Sequence, residues 1–277
     1  MLDNIRVVLS HTTHPGNIGA AARAMKTMGL RHLYLINPRY FPDPQADAMA
    51  AGAGDLLRDA VVCRSIDEAL RGVVFTVAMT ARLRDISIEA MTPREAMPLL
   101  LQQAAAQPVA LLFGTEMSGL TNEETGKAQV LVNIPADPDF SSLNLAAAVQ
   151  VMGYELNVAA RNHVPDAPQV QPRHGTAQPT GAGVAASHAS NVSKVRPATH
   201  EQVEGFFAHL EKTLFEIGFF TTQNPARLMQ RLRRLYARTR LEQEEVNILR
   251  GILGVTTGYN ARLKKRYLEE HPDVQEH

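Results

Sequence analysis

I134-P-A-D-P-D-F-S-S-L-N-L-A-A-A-V149 joins a tight polar turn to the start of a long apolar helix, and its reading decides the fold. Just ahead of it, residues 130–134 are a short β-branched run that reads as a buried strand. Pro135, Asp137, Pro138 and Asp139 stop that strand and force a turn. The chain restarts as a helix near Ser142. Leu145, Val149, Met152, Leu156 and Ala159 recur at offsets 0, 4, 7, 11 and 14, the apolar stripe of a helix rather than the alternation of a strand. Ser141 and Ser142 then read as capping residues. A helix start exposes unpaired backbone N–H groups and a partial positive charge, so it either caps itself with a serine oxygen or offers those donors to a ligand. The local pattern leaves both open.

The same strand-to-helix alternation runs back through residues 1–161. Strand candidates are 5–9, 32–37, 60–63, 73–79 and 109–113, in addition to 130–134. Several are apolar on both faces, which suits a parallel sheet covered by helices on each side. This is an α/β domain. Residues 162–198 carry five prolines (165, 168, 172, 179 and 197) and almost no large apolar side chains, the composition of a flexible linker. Beyond it, residues 199–277 read as a small helical module. Phe206, Leu210, Leu214 and Ile217 form one stripe, and Leu228, Leu232 and Leu235 a second. A third helix runs from about Leu241 towards Leu268, with Gly251, Gly254 and Gly258 as weak points.

Composition narrows the function classes. Lys+Arg and Asp+Glu are both 28 in 277 residues, so any basic surface for nucleic acid must arise by segregation of charge. One cysteine, Cys63, leaves no intramolecular disulfide and no Cys-rich zinc site. The start M-L-D-N-I-R lacks a signal peptide's basic and apolar regions, and no run of about 18 uncharged apolar residues exists, so the expectation is a cytoplasmic protein that does not span a membrane. Neither G-x-G-x-x-G after a strand nor G-x-x-x-x-G-K-[ST] is present, which argues against a dinucleotide oxidoreductase. His11 and His14 have no nearby cysteine or acidic partner in sequence, so no metal is expected.

Three loops follow strands at the end where open α/β sheets bind ligands. After the first strand, Pro15 and Gly16 make a turn, Asn17 reads as an N-cap, and Gly29 stops a helix spanning about 18–28. Ile18, Ala22 and Met25 form its buried stripe and Arg23 projects off the core face. After the strand at 109–113, Gly114 would let the backbone approach a ligand and Glu116 could fix a polar group, with a further helix starting at Thr121. The third loop is the opening stretch.

N17-I-G-A-A-A-R23-A-M25, F113-G-T-E116-M-S-G-L120 and I134-P to V149, in this order and spacing, closely resemble the SPOUT superfamily of RNA 2′-O-methyltransferases. Within it they are most similar to the tRNA (cytidine/uridine-2′-O-)-methyltransferases of the TrmJ type. The resemblance implies a mostly parallel sheet with a C-terminal trefoil knot, an obligate homodimer, and S-adenosyl-L-methionine bound in the knot and released as S-adenosyl-L-homocysteine. Carried over by position, it assigns the cofactor to Met79, Thr80, Ala81, Gly114, Ile134, Ser141, Ser142 and Leu143. It assigns catalysis to Arg23 with Asn17, Glu116 and Ser142. RNA contact is expected at Arg23, Arg84, Arg231 and Arg234. The resemblance implies methylation of the ribose at nucleotide 32 of the tRNA anticodon loop. Many relatives carry Arg in place of Thr115 and an acidic residue in place of His11, both near the expected RNA side.

An arginine with a pKa above about 12 is a poor proton acceptor. The expected part for Arg23 is to orient phosphate and ribose and stabilise developing alkoxide charge, with water or a phosphate oxygen taking the proton. In the tail, Arg227, Arg231, Arg234 and Arg238 share one helical face with no acidic residue from 225 to 240, and Lys264, Lys265 and Arg266 form a second basic cluster. Together they are a candidate RNA surface. Two other readings stay open: a SPOUT enzyme acting on another tRNA or rRNA site, and an RNA-binding protein that has lost catalysis. Retention of Arg23, Asn17 and Ser142 argues against the second.

Overall fold

The computed structural model describes residues 1–80, 90–162, 196–220 and 225–271, so Ala81, Arg84 and most of the expected linker lie outside the described residues. Six strands form one sheet: β1 (Ile5–Ser10), β2 (His32–Ile36), β3 (Val61–Cys63), β4 (Phe75–Met79), β5 (Val109–Phe113) and β6 (Val130–Val132). Their order is β3-β2-β1-β5-β4-β6, and every pairing is parallel. All six were expected at these places. The interior strands are buried on both faces: Val109, Leu111 and Phe113 of β5 enter one core while Ala110 and Leu112 enter the other. This two-sided burial is what a parallel sheet between helical layers requires.

The helices of the α/β domain are α1 (Pro15–Thr27), α2 (Pro44–Ala50), α3 (Gly54–Arg58), α4 (Ile66–Ala69), α5 (Pro93–Ala104), α6 (Asn122–Thr125) and α7 (Leu145–Asn162). The stripes of α1 and α7 are buried as expected: Ile18, Ala22 and Met25, and Leu145, Val149, Met152 and Leu156. Both helix starts differ from expectation. α1 begins at Pro15, whose fixed φ and missing N–H suit the first helical position, so Asn17 lies inside the first turn and is not the cap. α7 begins at Leu145, and the cap is Asn144, whose Oδ1 accepts from Ala146 N at 2.9 Å. Ser141 and Ser142 stand outside the helix and are exposed. An asparagine directly before the apolar stripe outcompetes serines two and three residues further back.

The tail folds as α8 (His200–Glu216), α9 (Pro225–Ala237) and α10 (Gln243–Glu270) around Phe206, Phe207, Leu210, Met229 and Val246. Ile217 and Leu235, expected in the buried stripes, are exposed. Phe207 and Met229 are buried instead, and the Arg233 guanidinium lies over the Phe207 ring at 4.4 Å. The tail is seated on the sheet's lower end by polar contacts. His200 N donates to Val73 O at 2.8 Å, and Gly72 N donates to Glu201 Oε1 at 2.8 Å. Lys127 Nζ bridges Asp67 Oδ1 (2.6 Å) and Glu204 Oε2 (3.3 Å), His200 Nε2 meets Asp67 Oδ1 at 2.8 Å, and Arg233 clasps Glu204. Burial pushes the Glu204 carboxyl up, but the hydrogen bond and charge of Arg233, with Lys127 and His200 nearby, hold it below the ordinary carboxylate range.

Candidate active site

Parallel strands of matched register end together, and here the loops leaving β4, β5 and β6 do so around one cavity of about 560 Å³. Met79 and Thr80 leave β4, Gly114 and Glu116 leave β5, and Ile134, Ser141, Ser142 and Leu143 come from the turn between β6 and α7. Every described member of the expected cofactor set therefore lines the same space, and its size is that of a small-molecule site. Asn133, not anticipated from sequence, also lines it and donates Nδ2 to Thr80 O at 2.9 Å, fixing the β4 loop to the β6 loop.

The loop after β1 does not line the cavity but is locked to its wall by Glu116. One carboxylate oxygen accepts from Thr13 N (3.1 Å) and Thr13 Oγ1 (2.9 Å), the other from His14 N (3.3 Å) and Asn17 Nδ2 (3.0 Å). Burial raises the Glu116 pKa, but the hydrogen bonds from Asn17 and from the backbone N–H groups of Glu116, Thr13 and His14 prevail and lower it, so the group is anionic at neutral pH. Asn17 Oδ1 in turn accepts from Asn144 Nδ2 at 3.0 Å. One polar chain, Glu116–Asn17–Asn144–Ala146, thus ties all three motif loops together. Asn17 is where expected and acts by joining loops instead of capping its helix. Asn144 and Thr13 were missed. The preference of asparagine for the cap position pointed to the first, and no local signal marks the second.

Gly114 owes its identity to the loop itself. A Cβ there would lie 2.1 Å from Gly119 C and 2.2 Å from Leu120 N, because Thr115 and Gly119 exchange backbone hydrogen bonds of 3.2 and 3.0 Å that fold the loop back on the strand end. The glycine thus admits neighbouring backbone, and it also lines the cavity. Gly119 holds φ +71°, a left-handed value that glycine adopts without steric cost.

Arg23 is exposed in the third turn of α1 and does not line the cavity. His11, at φ +50°, places Nδ1 2.8 Å from Ser10 Oγ, which also donates to the buried Glu124 carboxylate. No group of three His, Cys, Asp or Glu side chains suited to a metal occurs among the described residues. No helix among the described residues is long and apolar enough to cross a membrane. Arg234 lines a small cleft with Asn122 and Thr125, and these two also line the main cavity, so α9 borders the site's outer wall. Arg231 is exposed on the same helix. Met117 and Phe140, on loops of the cavity mouth, are 88% and 82% exposed, an apolar rim of the kind that contacts a partner.

Residues 4–154 match the model of the SpoU rRNA Methylase family, and residues 201–266 match that of the tRNA methyltransferase TrmJ C-terminal domain. The chain is 45% identical over 257 residues to a tRNA (cytidine/uridine/adenosine-2′-O-)-methyltransferase TrmJ of Pseudomonas aeruginosa, covering 92% of this chain and 95% of the relative. It is 44% identical over 253 residues to the tRNA (cytidine/uridine-2′-O-)-methyltransferase TrmJ of Escherichia coli, covering 91% and 95%. Among solved structures, that of TrmJ from Z. mobilis superposes with a TM-score of 0.73 at 30% identity, covering 90% of this chain and 97% of that one.

Proposed function

The chain belongs to the SpoU rRNA Methylase family and, within it, to the tRNA 2′-O-methyltransferases of the TrmJ type, and from this we propose that it methylates the ribose 2′-hydroxyl of cytidine or uridine at position 32 of the tRNA anticodon loop, using S-adenosyl-L-methionine. The observation that carries this reading is the cavity at the carboxyl ends of β4, β5 and β6, walled by two of the three motif-bearing loops together with the loop after β4. Its residues suit the cofactor: backbone from Met79, Thr80, Gly114, Ile134 and Ser141 to Leu143 would hold it, and the Glu116 carboxylate in the wall favours a cationic ligand. When bound, S-adenosyl-L-methionine supplies a methyl group on a positively charged sulfur.

The protein's part is positioning. In-line attack needs the ribose oxygen held about 3 Å from the methyl carbon, and such placement accounts for several kcal/mol of a barrier. Asn17 and Glu116 act as positioning residues that fix the three loops relative to one another. Ser142, exposed at the cavity edge, is available to the ribose. Arg23 orients phosphate and ribose and stabilises alkoxide charge as the proton leaves to water or a phosphate oxygen. The reading includes the division into residues 1–161, 162–198 and 199–277, the homodimer and the trefoil knot. The knot is supported by Val132, which pairs with Met79 on one side and bridges Met91 on the other, so β6 lies between the two ends of the segment it would thread.

Incubating the protein with unmodified tRNA transcripts and labelled S-adenosyl-L-methionine, then mapping the methylated nucleotide, tests the proposal. Label at the 2′-oxygen of nucleotide 32 is the expected result. Label confined to other positions moves the enzyme to a different site, and no incorporation into any tRNA or rRNA leaves only a binding role.

The tail is expected to contact the tRNA through α9, whose Arg231 and Arg234 share a face bordering the site. Charge reversal of both should weaken tRNA binding by about ten-fold or more and flatten its dependence on salt, since each lost phosphate contact removes roughly one released counterion. Filter binding at several salt concentrations measures both effects. Unchanged affinity would assign the stripe to solvent.

A further inference from the structure

We propose that Lys127 and Glu204, which line no part of the cofactor cavity, are positioning residues for tRNA: the joint they make with Arg233 fixes α9 so that Arg231 and Arg234 stand beside that cavity. The inference rests on the reading of α9 as a tRNA contact and adds the device that sets where that contact sits.

Two features leave the placement of α9 to polar contacts. Among the described residues, the tail's buried cluster around Phe206 and Phe207 shares no member with the two cores that flank the sheet. Apolar burial is in any case non-directional. A chain of the 33 residues numbered 163–195 can span up to roughly 110 Å, so the covalent connection alone does not locate α9.

Glu204, on α8, is held from both sides. Arg233 of α9 donates two parallel hydrogen bonds to its carboxylate, Nη1 to Oε1 at 2.5 Å and Nη2 to Oε2 at 2.9 Å. From the sheet side, Lys127 Nζ, two residues beyond α6, reaches Glu204 Oε2 at 3.3 Å while also meeting Asp67 Oδ1 at 2.6 Å. A bidentate fork has one favourable orientation, so it fixes the rotation of α9 about its own axis. With Arg233 turned inward, Arg231 lies about 200° round the helix and opens to solvent, and Arg234 lies about 100° round. Arg234 then runs along α6 in the cleft with Asn122 and Thr125, which also line the cofactor cavity. Covered ion pairs give up hydration comparable to the attraction they gain and are costly to misalign, which suits them to set register more than to add stability.

Full-length Lys127→Met and Glu204→Gln variants test this. Each is expected to raise Kd and KM for tRNA at least about five-fold with kcat at saturating tRNA within about two-fold of wild type, the pattern of lost uniform binding. Calorimetric titration with S-adenosyl-L-homocysteine should give wild-type affinity. Lys127→Arg should restore tRNA binding, since the charge is kept and a cavity of about 40 Å³ lined by Lys127, Glu204 and Arg233 accepts the larger head group. The deciding measurement is a cycle: Arg231→Glu with Arg234→Glu should weaken tRNA binding about ten-fold in the wild-type background but less than about three-fold in Glu204→Gln, whose arginines are already displaced. If Glu204→Gln does not fold, Lys127→Met serves as the background. Losses that multiply in full assign the joint to stability alone and overturn the proposal. Wild-type affinity in both single variants of a protein that methylates tRNA also overturns this proposal alone, whereas a wild-type protein that binds no tRNA overturns it together with the methyltransferase reading.

Discussion

Gly114→Ala is expected to reduce methyl transfer by at least about 100-fold and to weaken S-adenosyl-L-homocysteine binding in parallel. The new methyl would stand 2.1 Å from the Gly119 carbonyl carbon and 2.2 Å from Leu120 N, both backbone atoms that no rotamer change can move aside. The Thr115–Gly119 hydrogen bonds would have to open, carrying Glu116 away from Thr13, His14 and Asn17. Overpacking of this kind costs about 1–3 kcal/mol against a typical domain stability of about 5–15 kcal/mol, so the sheet should survive with a lowered melting temperature while the site is lost. Calorimetric titration with S-adenosyl-L-homocysteine, alongside thermal unfolding, separates the two. A variant that binds the product normally and turns over at the wild-type rate would show that the loop adapts and that its geometry does not set the site.

Arg23→Lys is the second large effect. Lysine keeps the charge and loses the planar fork that grips a phosphate through two parallel hydrogen bonds. If Arg23 aligns phosphate and ribose in the transition state, kcat should fall about 100-fold or more while KM for tRNA changes little, since long-range attraction to RNA depends on charge and not on the fork. Steady-state kinetics with excess S-adenosyl-L-methionine provides the split. Near-wild-type kcat with normal tRNA binding would rule out the fork. An increase confined to KM would make Arg23 an ordinary binding contact.

The sheet could be read from sequence because buried parallel strands carry their own signature: 109–113 is apolar at every position, and it alternates between two cores. The stripes of α1 and α7 were equally legible from 3.6-residue spacing. Helix starts were not, because a cap is settled by competition among neighbouring candidates. Pro15 at the first helical position left His14 as the cap of α1 in place of Asn17, and Asn144 displaced Ser141 and Ser142. The site was legible as three motifs whose resemblance carried their roles. Its wiring was hidden, since Asn17 and Glu116 meet across 99 positions of sequence and Asn17 and Asn144 across 127. The joint formed by Asp67, Lys127, His200 and Glu204 was hidden for the same reason, as each residue alone reads as surface charge.

That joint has a practical meaning for measurements on RNA. Salt weakens ion pairs open to solvent far more than buried ones; Asp67 is 57% exposed, but its partner Lys127 (6%) also pairs with the largely covered Glu204 (23%). Backbone bonds from Gly72 and His200 reinforce it. If α9 grips RNA as proposed, raising ionic strength should therefore strip those phosphate contacts while leaving the tail seated on the sheet. A plot of log affinity against log salt would then count the phosphates neutralised by the protein's cations, uncontaminated by detachment of the tail.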